Sequence, residues 1–337
     1  MRKLLILMVA IWFCPKVSAQ NPAWDEFEPV VKASLRGLSP VSSKICWASG
    51  SNGTWLKTTN GGQTWESGLI GGLDTVDFRS IHAWDAQTAI AASAGQPAVI
   101  YRTSNGGKSW EKVHQEGSEA FFDAISFSDK KNGYVLGDPL GGKWMVLETK
   151  DGGVTWKSMD PLPEAVPGEA AFAASSSSLI ASREGIGFAT GRSVARWHYF
   201  SKEKGEWIHQ ELPEMAQGEP SKGVFAVVKV KDYLVMVGGD YTLLDSQEGN
   251  SVLVGDWPNR VPKKLPLGYR SGIAFGEKMD LLVAVGPSGA DFSRDFGYTW
   301  ESLSDRGFHS VKIAADGQSI WASGSGGRLA KLKFFEE

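Results

Sequence analysis

The sequence predicts an all-β chain: a single seven-bladed β-propeller of four-stranded antiparallel blades, closed by pairing of its N- and C-terminal strands. Three observations predict it. The 337 residues hold 40 glycines and 14 tryptophans, a surplus of turn formers and large aromatics. One turn motif recurs four times, and three copies stand at blade-length spacing. Seven apolar runs of strand character, each closing on glycine, are distributed along the chain.

The turn motif comes first. Thr58-Thr59-Asn60-Gly61-Gly62-Gln63-Thr64-Trp65, Thr103 to Trp110, Thr149 to Trp156 and Ser293 to Trp300 all fit S/T-x-D/N-x-G-x-T/S-W. Trp65, Trp110 and Trp156 recur 45 and 46 residues apart, the length of one four-stranded blade. Asn60, Asn105, Asp151 and Asp295 are expected to accept backbone N–H bonds and close the turn locally. Gly62, Gly107, Gly153 and Gly297 supply the positive φ that the hairpin needs. Trp65, Trp110, Trp156 and Trp300 are expected to cover the hairpin as plugs between blades. An amide replaces the carboxylate in two of the four copies, so the motif reads as structural, and no metal site is assigned to it. Ser201-Lys202-Glu203-Lys204-Gly205-Glu206-Trp207 is one residue short of the pattern, and Val254-Gly255-Asp256-Trp257 keeps little beyond the aromatic.

The apolar runs read as the second strands of seven blades. They are Trp47-Ala48-Ser49-Gly50, Ala89 to Gly95, Val135-Leu136-Gly137, Phe188-Ala189-Thr190-Gly191, Val235-Met236-Val237-Gly238, Val283-Ala284-Val285-Gly286 and Trp321-Ala322-Ser323-Gly324. The last blade, from about Phe308 to Phe335, has room for three strands. Trp24 to Val31 is expected to supply its outer strand and close the ring without exposed edges.

A formal net charge of −3 provides no global basic field, which argues against nucleic acid as a partner. Arg2 and Lys3, the apolar Leu4 to Phe13, and Val17-Ser18-Ala19 have the layout of a signal peptide over residues 1–19. Cleavage after Ala19 would leave one propeller domain, 20–337, in the periplasm or outside the cell. Ile11-Trp12-Phe13 before Cys14 lacks the small residues of a lipid-attachment site, and no run is long enough for a transmembrane helix. Cys46 then remains alone between Ile45 and Trp47, a buried structural thiol with no partner for a disulfide or thiolate metal site. His82, His114, His198, His209 and His309 show no metal-ligand spacing, and no cofactor is implied.

The four boxes resemble the Asp-box (BNR) repeats of sialidases, sortilin-type receptors and photosystem II assembly factor propellers. Over roughly residues 24–337, Phe122-Asp123-Ala124, Gly137-Asp138-Pro139, Gly168-Glu169-Ala170-Ala171-Phe172-Ala173, Gly239-Asp240-Tyr241, Gly268-Tyr269-Arg270-Ser271 and Gly286-Pro287-Ser288-Gly289 resemble segments of exported bacterial members of the last group. The resemblance implies the fold, with the box on the turn between third and fourth strands. It implies no particular activity.

Up-and-down topology places the lead-ins to first strands and the exits from second strands on one face, opposite the boxes. The lead-ins carry Arg79, Asp123, Glu169 and Arg270 beside Tyr269, and the exits carry Asp138, Arg192, Asp240 and Ser288, with Arg196 just beyond. All are expected to converge on one mouth of the central channel as ligand-binding residues. Guanidinium forks there suit carboxylate, phosphate or sugar-acid groups, whereas a self-satisfied salt-bridge network is the bland reading. The favoured function is a monomeric, non-catalytic binding or assembly scaffold for a protein segment or an acidic or polar carbohydrate. The alternative is a glycoside hydrolase, with Glu169, Asp138, Asp123, Asp240 and Tyr269 as candidate catalytic residues. A sialidase-like version lacks the early Arg-Ile-Pro segment, and a xyloglucanase-like version normally carries two propellers. Gly185-Ile186-Gly187-Phe188-Ala189-Thr190-Gly191 lies within a strand pattern and does not support dinucleotide binding.

Overall fold

A computed structural model describes residues 21–255 and 257–335. The signal-peptide residues 1–19 and Asp256 of the degenerate fifth box lie outside the described residues. Helix among the described residues is confined to two three-residue 3-10 turns.

Seven antiparallel sheets form the blades, and six of them have four strands. Blade 1 comprises Leu35–Pro40, Cys46–Gly50, Thr54–Thr58 and Glu66–Leu69. Blades 2, 3, 4 and 6 repeat this order, beginning at Ser80–Ala83, Phe122–Phe127, Leu179–Ala181 and Gly272–Gly276. Blade 7 contains Ser310–Ile313, Ile320–Ser323 and Leu329–Phe335, and the N-terminal strand Asn21–Phe27 pairs antiparallel with the last of these. The closing strand therefore starts upstream of the expected Trp24 and ends before Val31, but it closes the ring as expected.

Blade 5 departs from the pattern. Lys222–Val230, Tyr233–Asp240 and Ser251–Val254 form three strands, and the fourth shrinks to the Leu253–Arg260 bridge. At its other edge the short Gly191–Arg192 and Glu169–Ala170 extend the sheet. The weak fifth box accounts for the loss: without a turn to hold the outer hairpin, only Trp257 keeps its place, 5.4 Å from Tyr233.

The boxes act as expected on the turn between third and fourth strands. Asn60 Oδ1 accepts Thr64 N–H at 3.0 Å, and Thr58 Oγ1 accepts Gly62 N–H at 2.9 Å. Asp151 accepts from Val154 N–H, Thr155 N–H and the Thr155 hydroxyl, the last at 2.6 Å. Gly62 has φ +95°, and a Cβ there would lie 2.3 Å from the Phe27 ring of the preceding blade. The glycine thus permits both the turn and the blade-to-blade approach. Trp110 packs edge-on to Trp47 of blade 1, and buried Trp300 packs among Tyr233, Val235 and Leu253 of blade 5. Cys46 is buried in the contact between blades 7 and 1.

One segment was not legible as an element of the propeller. Between Ala170 and the first strand of blade 4, residues 171–178 are buried without interruption and plug the channel. Ser176 Oγ exchanges hydrogen bonds of 3.1 Å with the backbone of Ile125 in blade 3. Val227 N–H of blade 5 bonds Ser177 O, Ser175 Oγ bonds Ser271 O at the edge of blade 6, and Lys312 Nζ of blade 7 bonds Ser176 O. Arg36 Nη1 of blade 1 bonds Ala174 O at 3.2 Å. Short serines and alanines suit this place: they pass between converging first strands and offer hydroxyls to backbone groups that have no ladder.

The boxes predict a substitution pattern. Asp151→Asn should change stability by less than about 0.5 kcal/mol at neutral pH, as Asn60 and Asn105 fill the same role, whereas Asp151→Ala should cost about 1–2 kcal/mol. Burial works against ionisation of Asp151, but hydrogen bonds from Thr155, Thr149 and Val154 outweigh it and hold the carboxyl at about 2. Its folded value lies below the unfolded one, so its contribution is present above about pH 4 and fades as pH falls toward 2. Urea unfolding at several pH values, with the Asn variant lacking that step, checks this.

Candidate ligand site at the channel mouth

Strand pairing sets one register in all seven blades. Gly37↔Ser49, Ser80↔Ala92, Ala124↔Leu136, Leu179↔Phe188, Ala226↔Val237, Gly272↔Val285 and Ser310↔Ser323 are corresponding pairs of first and second strands. The residue just before each first-strand member is therefore equivalent around the ring: Arg36, Arg79, Asp123, Ser178, Phe225, Ser271 and His309. In blades 1, 3 and 5 the ladder slips at this residue, leaving Arg36, Asp123 and Phe225 outside the regular pairing. Such slips re-aim a side chain. Small residues follow them because first strands crowd together: a Cβ on Gly37 would lie 3.2 Å from Ile81 of the next blade.

Arg36, Arg79, Asp123, Phe225 and Ser271 line one cavity of about 480 Å³. Asp138 and Arg192 join them from the exits of second strands, and Phe121, Phe172, Tyr241 and Tyr269 supply aromatic walls. Phe172 of the plug stacks on Phe225 at 3.8 Å, and Phe225 meets Tyr269 edge-on. The plug is thus the floor of the cavity as well as the stopper of the channel.

The charges in this cavity are unevenly paired. Arg79 Nε bonds Asp77 Oδ2 at 2.7 Å. Burial, and then the nearby Arg79, push the Arg36 guanidinium below its ordinary value, with Tyr269 and Asp77 acting in the opposite sense. Arg192, held at φ +67°, has no ion-pair partner among the described residues. Burial raises the Asp138 carboxyl, against the Ala171 N–H it accepts and the attraction of Arg192. Burial also pushes Asp123 well up, reinforced by Asp138 and opposed by Arg192 and Arg79.

Five expected residues lie elsewhere, each for a physical reason. Arg270 is not equivalent to Arg79: it stands one position earlier in the register, in the slot filled elsewhere by Leu35, Phe78, Phe122, Val224 and Phe308. It is 2% exposed, and its Nε bonds Asp291 Oδ2 at 2.7 Å. Glu169 does not lead into the first strand of blade 4, because the plug intervenes. It is buried, accepting from His198 Nε2 at 2.9 Å and the Thr190 hydroxyl at 2.8 Å. Arg196 lies 3.8 Å from Glu169 and 2.9 Å from Glu211. Asp240 caps its own loop through the N–H and hydroxyl of Thr242. Ser288 Oγ bonds Leu244 O. Arg36, not among the expected residues, carries a sequence signal: it precedes a small residue at the start of a first strand, as Arg79 and Asp123 do.

The chain is an Asp-box β-propeller of seven blades, resembling the photosystem II assembly factor propellers. Residues 16–118, which include Arg36 and Arg79, match the family model described as Photosynthesis system II assembly factor YCF48. Among solved structures, "YCF48 bound to D1 peptide" superposes with a TM-score of 0.65 at 15% identity, covering 94% of this chain and 100% of that one. "YCF48 from Cyanidioschyzon merolae" superposes with a TM-score of 0.63 at 14% identity, covering 92% and 98%. At such identities the likeness is one of fold. A comparison with curated protein sequences finds no match.

Arg270 and Arg192 separate structural from surface charge. Arg270→Ala leaves the buried Asp291 with only the Leu267 N–H beside it and should cost about 3–5 kcal/mol, most of which Arg270→Met combined with Asp291→Asn, which keeps that acceptor, should restore. Arg192→Ala should change stability by less than about 0.5 kcal/mol. Urea unfolding of the four proteins measures both.

Proposed function

We propose that this chain is an exported, non-catalytic scaffold that binds a protein segment carrying a carboxylate at the mouth lined by Arg36, Arg79 and Arg192. The observation that carries the reading is the union of this cavity with an apolar rim. Tyr241, Leu243, Leu244 and Leu267 are 47%, 58%, 37% and 46% exposed. Tyr241 lines the cavity, and Leu244 O accepts the Tyr269 N–H, so this loop folds directly over the cavity wall. Scattered apolar side chains are ordinary on a protein surface, but a group beside a charged hollow suits a peptide with alternating apolar and acidic contacts. The structure of YCF48 with a D1 peptide supports the reading, in that a propeller of this fold carries a peptide.

Of the hydrolase candidates, Asp123, Asp138 and Tyr269 line the cavity, while Glu169 and Asp240 do not. Tyr269 is buried, and burial pushes its hydroxyl far above the ordinary value against the pull of Arg36, so it is a poor nucleophile. Glu169, its acidic partner in a sialidase-like arrangement, is enclosed with His198 instead.

Export rests on Arg2, Lys3, Leu4 to Phe13 and Val17-Ser18-Ala19. N-terminal sequencing of the exported protein should read from Gln20, and a chain that stays in the cytosol with residues 1–19 intact overturns this part. For binding, the probe is acetyl-Leu-Glu-Leu-Glu-Leu-Glu-Leu with a free carboxyl end, beside its amidated form and its glutamine analogue. Calorimetric titration should show binding of one or both acidic forms and none of an amidated glutamine peptide. Arg36→Ala and Arg192→Ala should each weaken it about ten- to hundredfold. Absence of binding by every acidic form overturns the site.

A further inference from the structure

Asp123 is the one acidic group of the cavity that has no visible work. It is 1% exposed, and neither carboxyl oxygen has a hydrogen-bond partner. Its backbone O accepts weakly from the Ser80 hydroxyl, at 3.4 Å, so the main chain is tied to blade 2 while the side chain is not. The slip in the ladder at this residue turns it into the cavity instead of into the sheet. A buried carboxyl without a partner is unfavourable, and the surrounding register offers ready apolar substitutes such as Phe225. Arginines stand nearby, yet Arg79 is committed to Asp77 and Arg36 to Ala174 O.

Resting on the peptide-binding reading above, we propose that Asp123 is the recognition group at the base of this site and meets the peptide's carboxylate as an uncharged acid, donating its O–H to that anion. Two features support the neutral form, against the pull of Arg192 and Arg79. Its oxygens are removed from water, and no cation is within bonding distance. Asp138 stands beside it, and two carboxylates so placed resist joint ionisation. The field of Arg36, Arg79 and Arg192 favours a bound anion over a bound cation, which leaves Asp123 the donor's part. O–H···O⁻ bonds of this kind are short and strong. Burial raises the value at which Asp123 ionises, with Asp138 adding and Arg192 and Arg79 subtracting. The sign follows: binding is supported while the pH stays below that value and weakens as the pH rises through it, by up to about tenfold per unit. Arg36, Tyr241 and Tyr269 face the same cavity, and Asp77 lies behind Arg79.

Two measurements test this. Infrared difference spectra of ligand-free wild type minus Asp123→Asn at pH 7 should show the C=O band of a protonated carboxyl. A carboxylate signature there instead overturns the proposal, whatever the peptide does. Titration with the acidic heptapeptide compares Asp123→Asn, which stays neutral and keeps a donor, with Asp123→Leu, which has none. The proposal expects Asn to bind within about threefold of wild type and Leu to lose about tenfold or more. Equal losses in both variants mean that Asp123 acts as an anion, and no loss in either means that it takes no part; either result overturns the proposal. Failure of wild type to bind any acidic form is a different outcome and removes the site itself. Comparing the free and amidated heptapeptides shows whether the carboxylate comes from a chain end or from a glutamate.

Discussion

The hydrogen bonding of the serine-rich segment on the propeller axis is the constraint on which the rest of the site depends. A ring of blades leaves first-strand edges facing a channel, and their polar backbone groups must be satisfied by something. Here Ser175, Ser176 and Ser177 satisfy groups in blades 3, 5 and 6, and take a lysine from blade 7. Each bond joins residues far apart in sequence, so the plug ties blade 3 to blades 5, 6 and 7 across the ring. It also fixes Phe172 against Phe225 and Ala174 O against Arg36. The floor of the cavity and the tie between blades are the same residues.

That coupling explains what was legible in the sequence and what was not. The boxes could be read because their chemistry is local: Asn60 closes its own turn with Thr64, and no distant residue decides whether it does. The closing strand could be read because the last blade visibly lacked a partner, although its ends shifted by a few residues. The plug could not be read, since alanines and serines carry no periodicity and their bonding depends on five other blades. Its presence displaced Glu169 from the mouth to a buried contact with His198 and Thr190.

The mouth residues show how sharply register governs such inferences. A shift of one position along a strand exchanges inside for outside. Gly268-Tyr269-Arg270-Ser271 looks like a counterpart of Asp77-Phe78-Arg79-Ser80 when the two serines are aligned. The pairing of Gly272 with Val285 shows that Ser271 answers to Arg79, and Arg270 falls into an apolar slot. A guanidinium survives there only because Asp291 lies 2.7 Å away. Arg36 occupies the slot of Arg79 and Asp123 in blade 1, and the ladder slips there as it does at Asp123.

The distribution of satisfied and unsatisfied charge then distinguishes scaffold from site. Arg270 with Asp291, Glu169 with His198, and Asp240 with Thr242 each keep their partners within the protein, so a ligand would have to break bonds to use them. In the cavity the balance is different. Arg192 is unpaired among the described residues, Arg36 holds only a backbone carbonyl, and both oxygens of Asp123 are unpartnered. Polar groups in a protein interior are usually satisfied, and failure to satisfy them is unfavourable. Asp123 is the buried group left without a partner, and the half-buried Arg36 and exposed Arg192 converge with it on one hollow from blade 1 and the exit of blade 4. At Arg270, beside the cavity-lining Ser271, the guanidinium is instead held by Asp291 Oδ2 within the protein, although Asp291 Oδ1 is left without a partner as the Asp123 oxygens are.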